Sequence, residues 1–126
     1  MTPESGEFLG KARDCLARAR IILAAGVGED AGRDAYLAGF HAAQAVIRAR
    51  TGRTAKTHRD VHRLLSQLAR GEPQLAGLIL FLSQAYNLKA VADYELGPGA
   101  GVPLDRASEA INRAAQFIEQ IAALLA

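Results

Sequence analysis

The sequence predicts an all-α fold, an antiparallel up-and-down bundle of four long helices and one short one. Three observations carry this expectation. Half of the 126 residues are hydrophobic but only 6% are aromatic, an alanine- and leucine-rich mix that favours packed helices over a sheet. Apolar residues recur at spacings of three and four throughout. Glycine- and proline-bearing breaks then divide the chain into helix-length pieces. At this length the chain, residues 1–126, forms a single domain able to bury a core without staples.

The first helix starts with Thr2 as N-cap and Pro3 at its first position, and ends at Gly26. Its inward seam is Phe8, Ala12, Cys15, Ala19 and Ile22, so the single cysteine reads as a small buried hydrophobe. The short Gly26-Val27-Gly28 turn sends the second helix back antiparallel. That helix, Asp30 to Arg50, organises the chain. Tyr36, Phe40, Ala43 and Ile47 form its seam, and Gly39, Ala42, Ala43 and Ala45 allow close approach of neighbours. Beside the seam runs a polar stripe, Arg33, Leu37, His41, Gln44 and Arg48, bordering the core rather than opposing it.

Gly52 ends the second helix, and 53–57 form a polar link. Thr57, three residues before Asp60, caps a short third helix through Leu68, with Val61, Leu64, Leu65 and Leu68 inward. After Gly71-Glu72-Pro73 the fourth helix runs from about Gln74 to Glu95, apolar on nearly all sides in its first half and so buried on two sides. One of those sides suits a subunit interface. The glycine-rich stretch Gly97–Pro103 is a flexible loop, and a fifth helix follows with the stripe Ala107, Ile111, Ala114, Ile118, Ile121 and Leu125.

Composition excludes several classes. One cysteine rules out an intrachain disulfide framework and suits a reducing compartment. The N-terminus lacks a secretory apolar region, and Leu75–Leu82 is too short to span a bilayer, so a cytoplasmic protein with no membrane partner is expected. The GPGAG stretch lacks the Lys-Ser/Thr of a phosphate loop, and no Ser-His-Asp or Cys-His order is supported.

The net charge of +2 hides an asymmetry. From Arg48 to Arg70 seven Lys/Arg face one acid, Asp60, giving +6 and leaving −4 elsewhere. This basic end is either a solvated face or an attractor of phosphates or an acidic partner. On the fourth helix the seam Leu75, Ile79, Leu82, Tyr86 continues into Lys89 and Asp93, placing two ionisable residues at interface positions. They mark either a helix end emerging into water or a polar cleft with Asn87 and Tyr94. His58 and His62 have metal-compatible spacing, but nothing completes such a site, so no metal or cofactor is expected. They read as part of the basic surface, and His41 as a satisfied, partly buried histidine.

Three blocks, RDAYLAGFHAAQA (Arg33–Ala45), KTHRDVHRLL (Lys56–Leu65) and YNLKAVADYELG (Tyr86–Gly97), resemble the small HEPN-domain family in its minimal stand-alone branch. The blocks come in the family's order, so the resemblance covers nearly the whole chain. It implies a helical bundle that dimerises around a polar cleft. It also implies an RNA or nucleotide ligand and a nucleotidyltransferase partner in a toxin–antitoxin pair. Many relatives are metal-independent endoribonucleases using an arginine followed by a histidine. Here Lys89 stands at the arginine position and Asp93-Tyr94 near the histidine position, and no histidine follows His62. A lysine keeps the charge but loses the bidentate fork. Lys89, Asp93 and Tyr94 are thus the candidate catalytic residues. Arg33, His41, Arg48, His58, Arg59, His62 and Asn87 are the candidate nucleotide- or RNA-binding residues. The departure favours a binding module over an altered ribonuclease or a purely structural dimer. Tyr94 matches a tyrosine near the motif that accepts nucleotide transfer in related two-gene systems.

Overall fold

Five α-helices and one 3-10 turn make up the described residues, and no strand occurs among them. The structure, a computed structural model, describes residues 1–94 and 101–126. Helix α1 (Pro3–Ala24) begins where Thr2 Oγ1 accepts the Ser5 N–H at 3.2 Å, with Pro3 needing no partner for its nitrogen. The chain turns at Gly26, whose φ of 82° lies in the left-handed region that glycine adopts without strain.

Helix α2 (Gly28–Thr51) is the hub, packing against α1 and against three further helices, α3 (His58–Leu68), α4 (Ala76–Tyr94) and α5 (Leu104–Leu125). Its interior is built from alanines: Ala31, Ala35, Ala38, Ala42 and Ala45 are all fully buried. Small side chains let several helices meet one axis closely. Helix α4 comes close at Gly39, where an added Cβ would lie 2.5 Å from Phe81 Cε2 and 3.3 Å from Leu82 Cδ2. Phe81 is only 1% exposed and packs against Phe117 of α5, so it cannot move aside without repacking that contact. Gly39→Ala gains up to about 1 kcal/mol of helix propensity but costs roughly 1–3 kcal/mol of overpacking. A lower denaturation midpoint is therefore expected, and a higher one would show that α4 gives way freely.

Gly52, at φ 71°, ends α2. The link that follows is held along α2 by Gln44, whose Nε2 donates to the Ala55 carbonyl at 2.6 Å. Thr57 Oγ1 accepts the Asp60 N–H at 3.0 Å and launches α3, as the spacing predicts, with Val61, Leu64 and Leu65 buried. A 3-10 turn over Pro73–Leu75 precedes α4, which therefore starts two residues later than the periodicity suggests. Leu75, Leu78, Phe81 and Leu82 are buried, whereas Leu80 is 55% exposed, so α4 is not covered on every side as its apolar first half implies.

Helix α5 buries the whole predicted stripe, Ala107, Ile111, Ala114, Ile118, Ile121 and Leu125. Within the predicted Gly97–Pro103 loop, residues 97–100 lie outside the described residues, as does Glu95, the expected end of the fourth helix. Among the described residues no helix is long and apolar enough to cross a membrane.

Candidate functional site

Tyr36 begins the site. It sits in the α2 seam at 3% exposure, and a buried phenol needs a hydrogen-bond partner. His58, the first residue of α3, supplies it: Tyr36 Oη and His58 Nδ1 share a hydrogen bond of 2.8 Å. The Gln44–Ala55 tether holds the link so that His58 arrives over Tyr36. From α4, Tyr86 stacks on the imidazole at 4.2 Å between ring centroids and 24° between planes. It also meets Tyr36 edge-on at 5.6 Å. One turn further along α4, Lys89 Nζ lies 5.9 Å from the Tyr86 ring centroid. Phe40, Leu37 and Lys56 complete the lining of an open cleft of about 310 Å³.

Burial raises the Tyr36 phenol well above its ordinary value, with the Tyr86 phenol adding to it. Tyr36 therefore stays protonated. Burial lowers His58 below its usual 6.5, and the neighbouring His62 charge lowers it further. His58 is therefore neutral near pH 7, with Nε2 the ring nitrogen not engaged by Tyr36. His41 is also lowered by burial, only partly offset by its hydrogen bond to Gln44.

These two histidines set a pH dependence. Their folded pKa values lie below the unfolded one, so between the two the unfolded chain binds more protons. Their contribution to stability is complete above about pH 6.5 and is lost as pH falls from there through the lowered folded values. Chemical denaturation at about pH 7.5 and about pH 5.5 should show the lower midpoint in acid. His58→Asn should flatten the difference, and an unchanged slope would contradict this origin.

The cleft combines flat aromatic faces with ammonium groups at its rim. A base stacks on such faces, and a phosphate is neutralised by such cations. Among the described residues no three His, Cys, Asp or Glu side chains gather as a metal site would require. The His58 and His62 rings are 6.2 Å apart, and His58 already engages Tyr36 through Nδ1.

Of the residues singled out from sequence, His58 and Lys89 come together here, and His62 lies beside His58 without lining the cleft. Asp93 and Tyr94 belong to the last turn of α4, and their side chains lie outside the described residues. Arg33 pairs with Asp30 at 2.8 Å, one turn before Tyr36. His41 Nδ1 meets Gln44 Oε1 at 2.7 Å, and the charges bearing on it are Lys11 and Arg18 of α1 rather than Lys89. Arg48 donates to the Gly52 carbonyl and lies 3.9 Å from Glu4. Arg59 is exposed on α3, and Asn87 lines a separate groove between α4 and α5 with Arg106 and Arg113.

Sequence reading assigned Tyr36 and Tyr86 to apolar seams and so missed them as site residues. The available signal was the phenol itself, since a tyrosine inside a seam must find a partner for its hydroxyl.

No curated protein matches the chain. The HEPN domain model, by contrast, matches residues 5–124, nearly its full length. The order of the three sequence blocks, the all-helical architecture and this match agree: the chain belongs to the HEPN-domain family.

Proposed function

We propose that this protein binds RNA or nucleotide in the Tyr36–His58–Tyr86–Lys89 cleft, as a dimeric, cytoplasmic component of a HEPN/nucleotidyltransferase toxin–antitoxin-type module. The observation that carries the reading is the His58–Tyr86 stack with Lys89 beside it. Membership of the HEPN family supports a nucleotide- or RNA-related role. The short Gly26-Val27-Gly28 turn and the packing of α1 on α2 support the antiparallel up-and-down course. The exposed Leu80 on α4 suits a dimer face.

The test is retention of single-stranded RNA on a filter at low salt. Wild type should retain it and Lys89→Ala should weaken retention, with a salt slope shallower by about 0.7 for one lost phosphate contact. No retention by the wild type contradicts the reading.

A second reading, an endoribonuclease with an altered motif, is favoured by one observation: His58 lines the same cleft as Lys89. A neutral imidazole beside an ammonium suits proton transfer during phosphodiester cleavage. Scission of mixed RNA in EDTA that Lys89→Ala abolishes supports that reading. Asp93→Asn tests the carboxylate at the motif position. Tyr94 as an acceptor of nucleotide transfer predicts a gain in intact mass with the cognate enzyme and ATP.

A further inference from the structure

We infer that the cleft between the 52–55 link and α3 is a phosphate subsite for the backbone of a single strand whose base occupies the aromatic cleft. The inference rests on the RNA-binding reading above and extends it from one nucleotide to a strand. This second cleft, of about 430 Å³, gathers Arg48, Arg53 and Arg63 around Thr54 and Asp60, a net charge of +2.

The three arginines are not equivalent. Arg48 is turned to the Gly52 carbonyl and to Glu4, which suits holding the end of α2. Arg63 lies 3.8 Å from Asp60, with both side chains about half exposed, a loose pair that leaves guanidinium N–H groups for a ligand. Arg53 is exposed and makes no ion pair among the described residues. Arg53 and Arg63 are thus the phosphate-binding pair, and a guanidinium fork matches phosphate geometry.

Position decides between a solvated basic face and a subsite. Arg53, Thr54 and Ala55 line this cleft, and Lys56, the next residue, lines the aromatic one. Three residues span at most about 11 Å, so the clefts adjoin along one stretch of backbone. The Gln44 bond to the Ala55 carbonyl fixes that stretch against α2. The result is a cationic track leading to a stacking platform, the combination that follows a single-stranded backbone without reading sequence. An acidic protein surface would use the arginines and leave the stacked rings without a role.

The experiment compares three probes: AMP, inorganic phosphate and a single-stranded oligoribonucleotide of about eight residues. Each is titrated against wild type and Arg53→Gln/Arg63→Gln, with a circular dichroism melt as folding control. The oligonucleotide should bind wild type more tightly than AMP. The double variant should bind it roughly tenfold more weakly at low salt, with a salt slope shallower by about 1.4, and bind AMP unchanged. Arg53→Lys/Arg63→Lys should recover part of the loss.

Equal oligonucleotide affinity for wild type and double variant overturns the subsite while leaving the aromatic cleft intact. Phosphate alone occupying the cleft, with no gain from strand length, assigns it to free phosphate and overturns the backbone role. Binding of neither AMP nor the oligonucleotide overturns both this inference and the reading beneath it.

Discussion

Phe81→Ala is expected to destabilise the fold by about 3–5 kcal/mol, the cost of removing a buried aromatic ring. Phe81 closes the contact of α4 with α2 at Gly39, lies 5.5 Å from the Phe117 ring of α5, and carries the Arg113 guanidinium 5.3 Å from its centroid. One truncation therefore loosens α4 from both α2 and α5. Against a total stability of about 5–15 kcal/mol, it removes a large share. Ile21 on α1 is 72% exposed, and Ile21→Ala should stay within about 0.5 kcal/mol of wild type. Equilibrium denaturation of the two variants checks the pair. Similar midpoints would mean that α4 is not seated as described.

Tyr86→Ala should weaken RNA binding by about 5- to 150-fold, the equivalent of roughly 1–3 kcal/mol for one stacked base. The ring is 39% exposed, so its loss removes the platform at modest cost to the fold. Tyr86→Phe keeps the ring and should retain binding, which separates stacking from any role of the hydroxyl. Binding lost equally in both variants would contradict the stacking mode.

Much of the fold was readable from side-chain periodicity because α3 and α5 each carry one dominant apolar stripe. The α5 stripe is buried residue for residue, and Thr57 caps α3 as its spacing with Asp60 suggests. Periodicity misjudged α4 because apolar residues surround its first half, and composition cannot say which side a neighbour covers; Leu80 is the result. The site was less legible for a different reason. Tyr36, His58 and Tyr86 come from three helices, 22 to 50 positions apart in sequence, and share no local pattern. The link that carries His58 to the cleft is tied to α2 by the Gln44 bond to the Ala55 carbonyl, a contact between residues 11 apart with no local signature. On the polar stripe of α2, Arg33, His41 and Arg48 are the candidate ligand residues, His41 also reading as a satisfied, partly buried histidine. In the structure the stripe's Gln44 is an internal tether and its His41 is that glutamine's partner.

One NMR measurement tests the central claim most directly: aromatic and amide chemical shifts during titration with a short single-stranded RNA at low salt. The expected result is a saturable perturbation centred on Tyr36, His58, Tyr86 and Lys89, with the His58 imidazole among the largest. Perturbations confined to the α4–α5 groove around Asn87 and Arg113, or none at all, would contradict it.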